Sequence, residues 1–371
     1  MNFIVVTSTP HYFYKNEYYA YGPYVREMNI WLKNNKNVFI LAPLQNCTPS
    51  NINLKYDSKK IKIVKVPSFN LLGLINIMLT FAILPQIITK MIYYFCIADH
   101  IHLRTPCNMG VLGVLLQIFF PFKVKTAKYA GNWENISDQP LSYKFQKYIL
   151  KNTFLSRNIK VLVYGEWQDN TKNILPFFTA SYKIRDKIKI LPRKYNKNIK
   201  LLFVGSLSIG KNPILVLKTL KNLISKNKWN FSLKICGEGN QKNILDEYIE
   251  KNNLTKYVDI MGSIKAEELK TIYLESHFLI LPSKSEGWPK VVAEAMWWGC
   301  IPLATPVSCV PKMLGNGERG CLIKPKSKDI SKKIISLIAS ENQCKRLSQK
   351  GIDWSRNFTL EKFEKDIQKL L

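Results

Sequence analysis

The sequence predicts an α/β chain of two doubly wound, Rossmann-like parallel-sheet domains, and three observations predict it. The chain has 371 residues, too many for one ordinary domain and suited to two of roughly 180. Short runs rich in Val, Ile and Leu alternate with helical spacings from end to end, the pattern of parallel strands covered by helices on both faces. Between residues 191 and 200 the polar, Lys-rich stretch "LPRKYNKNIK" separates one such series from another. These observations place a first domain over residues 1–192 and a second over 197–354. The last stretch, residues 355–371, reads as a C-terminal helix, with Phe358, Phe363 and Ile367 continuing the spacing of Trp354.

In the first series the expected strands are "NFIVVTS", "VFILAP", "KIVKVP", "DHIHL", "KVKTAKYA" and "KVLVYG"; in the second they are "KLLFVG", "SLKICGEG", "YVDIMG", "HFLILPS", "IPLAT" and "GCLI". The most apolar segment, Leu71 to Ile97, is interrupted by Asn76, Pro85, Gln86 and Lys90. It predicts two helices broken at Pro85 rather than a transmembrane span, with an outer face either buried or laid on a membrane. The stretch "HYFYKNEYYAYGPY", residues 11–24, reads as an aromatic loop.

Composition narrows the function classes. Lys and Arg number 55 against 26 Asp and Glu, a net charge of +29. Such an excess suits either a solvated Lys surface or an anionic partner: nucleic acid, the cytoplasmic leaflet of a membrane, or a phosphorylated substrate. Nucleic acid ranks last, because no zinc-ligand spacing, recognition-helix pattern or stacking motif accompanies the charge. The eight Cys form no CxxC pair, so neither a metal site nor a redox dithiol is expected, and free thiols suit a reducing cytoplasm. The opening "MNFIVVTSTPHYF" reads as a first strand and not a signal peptide, which also points to the cytoplasm.

Ligands of open parallel sheets bind beyond the carboxyl ends of the strands. In the second series those ends carry Gly205-Ser206, Cys236-Gly237-Glu238-Gly239, Met261-Gly262-Ser263 and Pro282-Ser283-Lys284-Ser285-Glu286-Gly287. The first of these opens "GSLSIGKN", one residue short of a Walker A loop. Asn212 stands where a magnesium-binding Ser or Thr belongs, and the one good Walker B candidate, Asp99, lies in the other series. What remains is a strand, a glycine turn, Lys211 and a helix N-terminus, which together suit a diphosphate. A dehydrogenase is disfavoured because no GxGxxG follows the first strand, and no Asp-x-Asp pair suggests a metal-bound donor.

The most specific constellation is "PSKSEGWPKVVAEAMWWGCIPLATP". Pro289 suits the start of a helix and Gly299 its stop, so a helix is expected over 289–298. Glu286 and Glu294 are then about 12 Å apart, too far for an acid and base at one carbon and suited to the two ends of an extended ligand such as a nucleotide sugar. Amides near Gly287, Trp288 and Pro289, at the positive end of that helix, would meet the diphosphate or sugar hydroxyls, although Pro289 itself has no amide hydrogen.

With these motifs in order, the chain resembles the GT-B-fold retaining glycosyltransferases, and more closely the large nucleotide-sugar family 4. The resemblance rests on "FVGSLSIGKNP", "KICGEGN", "YVDIMGSI", "LPSKSEGWPKVVAEAMWWGCIPLATPVSCVPKML" and "ERGCLI", and covers the second half. It implies two domains facing a cleft, a donor site in the second, and a C-terminal helix that crosses back onto the first. It further implies Glu286 on the transferred sugar, Glu294 on the ribose, Lys211 on the diphosphate, and backbone near Gly237 and Ser263 beside the base, with Gly205, Ser206, Gly287, Trp288, Pro289 and Lys290 lining the same site. Two departures stand out. Ser206 replaces the usual Arg, so Lys290 or Arg193 is expected to supply the second cation. "KYAGNW" lacks the usual N-domain His, leaving Gly131 or Asn132 in its place. In the first domain Arg104 and Asn132 are the expected acceptor-side residues, His102 points the same way as Arg104 along its strand, and the aromatic loop suits stacking on sugar rings.

The expected function is transfer of a sugar, with retention, from a UDP- or GDP-sugar to a glycan or lipid-linked acceptor in cell-surface polysaccharide synthesis. No metal or other cofactor is expected, and the expected partners are the nucleotide sugar, the acceptor and the anionic inner leaflet, not nucleic acid. The competing class is a non-catalytic protein of the same fold that binds a nucleotide sugar or a partner enzyme.

Overall fold

In the computed structural model, which describes residues 1–371 apart from 51, 70–72, 135–138, 168–170 and 226–228, every apolar run named above forms a strand. The chain divides into two units, Met1–Phe178 with Glu364–Leu371, and Thr179–Phe363.

The first unit runs β1 (Asn2–Val6), β2 (His11–Tyr14), β3 (Glu17–Tyr21), α1 (Gly22–Leu32), β4 (Asn37–Ala42), β5 (Leu44–Gln45), β6 (Asn53–Lys55), β7 (Ile61–Lys65), α2 (Leu74–Ile97), β8 (His100–Thr105), α3 (Asn108–Leu116), β9 (Val124–Tyr129), α4 (Leu141–Lys151), β10 (Ile159–Tyr164) and β11 (Ile174–Phe177). Its main sheet has the order β11-β10-β9-β8-β1-β4-β7, and every pairing in it is parallel. The order reverses between β1 and β8. Connections β7 to β8, β8 to β9 and β9 to β10 all step the same way, so right-handed crossovers put α2, α3 and α4 on one face, where α2 packs on α3 and α3 on α4. That face of the sheet is lined by Ile4, Val6, Ile101, Leu103, Ala127, Val161 and Val163, all buried. Helix α1 covers the other face, where Trp31 meets His102 at 4.3 Å between ring centroids.

From Thr179 onward the chain runs β12 (Asn198–Val204), α5 (Pro213–Ile224), β13 (Asn230–Cys236), α6 (Lys242–Lys251), β14 (Val258–Gly262), α7 (Ala266–Glu275), β15 (Phe278–Leu281), α8 (Lys290–Trp297), β16 (Ile301–Ala304), α9 (Val310–Met313), β17 (Cys321–Leu322), α10 (Ser327–Ile338), α11 (Glu341–Ser355) and α12 (Leu360–Gln368), the second unit ending within α12 at Phe363. Its sheet, β14-β13-β12-β15-β16-β17, is also parallel throughout. The strand order reverses between β12 and β15, which is where a doubly wound sheet opens a crevice for ligand.

Four expectations are corrected. The segment ending at Ile97 is one helix, with Pro85 inside it; Leu71 and Leu72 lie outside the described residues. Pro85 and Phe81, whose carbonyl would have taken the missing N–H, are both exposed, so water can take that hydrogen bond. Ile87, Met91 and Phe95 on the inner side are fully buried and hold the helix past the proline. Residues 11–21 form a hairpin, not a loop; β2 and β3 pair antiparallel around the left-handed turn residues Lys15 and Asn16, within a small sheet of order β5-β2-β3-β6.

The expected C-terminal helix is two helices. Ser355 closes α11, with Trp354 in its last turn, and the Thr359 hydroxyl accepts the Lys362 N–H at 3.3 Å, capping a new start. The last eight residues belong to the first unit, where Lys33 bonds Glu364 at 2.6 Å. The division between units falls at Phe178, ahead of "LPRKYNKNIK", because Ser181, Tyr182 and Arg193 all pack on α7 and α8.

Candidate functional site

Loops at the carboxyl ends of β12, β13 and β14 are tied to one another by backbone. Gly205 N–H donates to Cys236 O at 3.0 Å, Leu207 N–H to Glu238 O at 2.8 Å, and Gly237 N–H to Gly262 O at 2.7 Å. Glu238 also accepts the Ser263 N–H through Oε1 at 3.3 Å. Gly237 is required there. Its φ is +149°, and a Cβ on it would fall 1.8 Å from Gly205 O. Gly237→Ala is therefore expected to lower stability by about 3 kcal/mol or more, read from urea unfolding curves.

Lys211 and Glu286 come from opposite sides of the crevice between β12 and β15. Lys211 ends the loop after β12, just ahead of Asn212, which takes a left-handed conformation (φ 55°, ψ 50°) before Pro213 opens α5. Glu286 sits in the loop after β15, fixed to its surroundings by Lys284 N–H to Gly210 O at 2.8 Å, Thr305 hydroxyl to Ser283 O at 2.5 Å and Ser308 hydroxyl to Gly287 O at 3.2 Å. The two side chains meet at 2.5 Å between Nζ and Oε1, with Glu286 6% exposed and Lys211 28%. A buried carboxylate needs such a partner. Lys211, standing more in the open, can shift its charge toward an anion in the crevice.

Helix α8 begins at Lys290 and ends at Trp297, with Pro289 as its N-cap residue and Trp298 as its C-cap. Glu286 therefore lies outside the helix and does not cap it. Trp288 leans on the ring of Trp354 at 6.1 Å and of Phe358 at 5.5 Å, which anchors the start of α8. Glu294, one face of α8 further on, accepts two hydrogen bonds: Ser181 hydroxyl to Oε1 at 2.5 Å and Tyr273 hydroxyl to Oε2 at 3.1 Å. Burial pushes the Tyr273 phenol well above its ordinary pKa, and the neighbouring Glu294 carboxylate adds to this, so Tyr273 remains a donor. Neither Ser181 nor Tyr273 carries a motif; they lie 113 and 21 residues from Glu294 in sequence.

Ser206 is exposed, its hydroxyl 3.2 Å from that of Ser208. Arg193 does not replace the missing arginine. Its guanidinium donates to the carbonyls of Gly299, Trp298, Tyr273 and Leu274, at 2.5, 2.8, 3.0 and 2.9 Å. Those carbonyls close α7 and α8, where a cation satisfies orphan acceptors and the negative end of each helix dipole. Lys290, the other candidate, opens α8 next to the Glu286 loop.

In the first unit, Arg104 at the end of β8 pairs with Glu27 of α1, and Lys128 of β9 reaches the same carboxylate oxygen at 3.1 Å. Burial disfavours the charge on Arg104, but the Glu27 carboxylate and the Tyr24 phenol outweigh it and raise the pKa above its ordinary value. The guanidinium also lies 5.3 Å from the Tyr24 ring centroid. Asn132 is buried after β9, its side chain accepting the Glu134 N–H at 2.9 Å. His100 and His102 lie inside the unit, each 2.8 Å from the Thr126 hydroxyl. Among the described residues, no three His, Cys, Asp or Glu side chains are grouped closely enough to hold a metal ion.

Residues 183–354 match the family model described as Glycosyl transferases group 1. Among curated relatives, an uncharacterized glycosyltransferase of Methanocaldococcus jannaschii is 28% identical over 170 residues, 46% of this chain and 46% of its own length. The GalNAc-alpha-(1->4)-GalNAc-alpha-(1->3)-diNAcBac-PP-undecaprenol alpha-1,4-N-acetyl-D-galactosaminyltransferase of Campylobacter jejuni is 24% identical over 179 residues, 48% of this chain and 49% of its own. The chain thus spans about half the length of the curated relatives it matches. Among solved structures, HepE of Anabaena, in complex with UDP-glucose, superposes with a TM-score of 0.71 at 12% identity, covering 100% of this chain and 98% of that one. The fold is therefore GT-B, and the family match over the second unit supports the glycosyltransferase class.

Proposed function

We propose that the chain is a retaining glycosyltransferase of family 4 that moves a hexosyl-type sugar from a UDP- or GDP-sugar to a glycan or lipid-linked acceptor in cell-surface polysaccharide synthesis. The observation that carries this reading is the Lys211–Glu286 pair at the strand-order reversal, with Glu294 held one helix away. The similarity of residues 183–354 to glycosyl transferases group 1 supports it, as does the lipid-linked acceptor named for the Campylobacter relative.

In this reading the diphosphate lies over Lys211 and the N-termini of α5 and α8, and Glu286 takes hydroxyls of the transferred sugar. Glu294, oriented by Ser181 and Tyr273, takes the ribose, with the base beside Gly237 and Ser263. The anomeric carbon–phosphate oxygen bond breaks as the acceptor hydroxyl approaches the same face, and the departing phosphate oxygen receives that hydroxyl's proton. The protein's part is to hold charge and geometry: Lys211 offsets the charge growing on the phosphate. Lys211 and two helix N-termini supply the positive field, so the reading calls for no metal ion. Arg104 and Asn132 are assigned to the acceptor side, and a lipid-linked acceptor would place the chain at the cytoplasmic face of a membrane.

A panel of UDP-, GDP- and ADP-sugars tests the assignment. One donor is expected to bind and to be turned over, by slow hydrolysis or by transfer to a cognate acceptor, with the anomeric configuration of the product retained by NMR. Binding without turnover on any acceptor would favour the non-catalytic class, and an inverted product would overturn the mechanism.

A further inference from the structure

Helix α2 is apolar on the side its own unit does not use. Ile87, Met91 and Phe95 fill the core, while Ile75, Met78 and Phe81 are 77%, 74% and 69% exposed, and Leu79, Ile92 and Tyr93 are exposed as well. Helix α4, two helices across on the same face, repeats this: Ile149 and Leu150 are buried, and Leu141, Phe145 and Tyr148, spaced i, i+4, i+7, are exposed. Phe122, between α3 and β9, is 88% exposed. A soluble surface helix ordinarily turns a polar face outward, and apolar patches of this kind mark an interaction site. In the second unit exposed large apolar residues such as Ile209 and Ile244 stand alone, and Ile184, Ile188 and Leu191 lie near its start, outside any α-helix.

The helices of this face bring only basic charge. No Asp or Glu occurs in α2, α3 or α4, and Asp99 is the only acidic residue between Asp57 and Glu134. Lys144 is exposed on α4, and exposed Arg157 lies 4.7 Å from the ring of exposed Phe154. We propose that the face formed by α2 and α4 docks on an anionic phospholipid bilayer, its aromatic and aliphatic side chains entering the interface and its cations meeting lipid phosphate.

A second copy of the chain fits less well, because a two-fold contact would set cation against cation with no carboxylate on these helices to answer them. Residues Met78–Ile97 are long and apolar enough to cross a bilayer. Crossing, however, would strip Ile87, Met91 and Phe95 from the sheet they cover, so the helix lies on the surface and does not span.

The test is cosedimentation of the full chain with vesicles of phosphatidylcholine alone or with 30% phosphatidylglycerol added (about one lipid in three, the anionic share that gives a cytoplasmic-leaflet surface potential). Wild type is expected to bind the anionic vesicles, more weakly at high salt, and to bind the neutral ones poorly. The triple variant Ile75→Ser, Met78→Ser, Phe81→Ser is expected to bind at least about tenfold more weakly, with its thermal midpoint unchanged because all three side chains are exposed. Ile244→Ser, on α6 of the second unit, is expected to bind like wild type. Equal binding by wild type and the triple variant, or no vesicle binding by wild type, overturns the proposal. So does a dimer in solution that the triple variant dissociates while vesicles bind neither. Nucleotide-sugar binding, measured on the same samples, reports on the second unit alone, so failure here leaves the transfer reading standing and the reverse also holds.

Discussion

Glu286→Gln is expected to lower sugar transfer by about two to three orders of magnitude in kcat, and Lys211→Ala by a similar amount, while nucleotide binding weakens less. In the proposed assignment each removes a group aimed at charge or hydroxyls at the reacting end of the donor, where stabilisation counts in the transition state more than in the ground state. The two losses are not expected to add. The side chains touch at 2.5 Å, so removing either disturbs the other, and the double variant should lose little more than the worse single one. Lys211→Ala also leaves the buried Glu286 carboxylate without its cation, and is expected to cost about 1–3 kcal/mol in stability; Glu286→Gln keeps the shape and is expected to cost less. Steady-state kcat and KM for the donor, with unfolding curves on the same proteins, separate the two effects. Full transfer activity in both variants would remove Lys211 and Glu286 from the site.

The sequence could carry the strands and the loops after them because parallel strands buried on both faces are short, continuous and apolar, and the residues that follow them are turn-formers. Gly205, Gly237 and Glu286 therefore read correctly as loop residues beyond strand ends, while Gly262 is the last residue of β14 itself. Partners did not read, because a hydrogen bond between residues 113 apart, as for Ser181 and Glu294, leaves no local pattern. Arg193 shows this most clearly. A cation near the site was a fair candidate for phosphate, but its acceptors are carbonyls at two helix ends, and any residue supplies a carbonyl. Helix α2 misled for a different reason: Pro85 is a reliable local breaker, and packing by Ile87, Met91 and Phe95 on the next turns overrode it. Residues 11–21 formed a hairpin because Lys15 and Asn16 take left-handed dihedrals; Asn does so readily but Lys rarely, so this turn leaves only a weak signal in the sequence.

Stability is expected to fall steeply as pH drops from about 6.5 to 5, with a slope of about 5 kcal/mol per pH unit near pH 5.5 if all four histidines contribute. His11, His100 and His277 have pKa values lowered to about 4, and His102 lies well below its ordinary value, in each case because burial disfavours the charged ring. The hydrogen bonds agree. His277 Nδ1 accepts the Lys200 N–H at 3.0 Å and Nε2 donates to Lys194 O at 3.1 Å, which only the neutral ring can do. His102 Nε2 is buried with no partner, so it is the bare nitrogen; Nδ1–H then donates to the Thr126 hydroxyl, which donates in turn to His100 Nε2. Because the folded pKa values lie below the unfolded value of about 6.5, the unfolded chain binds more protons between pH 6.5 and 4, and stability is lost as pH falls through that window. The drop to about 4 in His11, His100 and His277 corresponds to about 3 kcal/mol each as an upper figure, and a few such terms match the whole stability of an ordinary domain. Glu17, Glu275 and Glu318 have lowered pKa values, for Glu17 and Glu318 chiefly through hydrogen bonds to Lys55 and Lys350; in Glu275, burial opposes but Lys200 and Lys234 prevail. Their contributions are present above the ordinary carboxylate range and fade below about pH 4.5, so the loss above pH 5 belongs to the histidines. Urea unfolding at half-unit steps from pH 7.5 to 5 measures the slope, and His277→Gln or His100→Gln should each reduce it by about a quarter. A stability that stays flat from pH 7 to 5 would mean that these rings titrate normally in the fold.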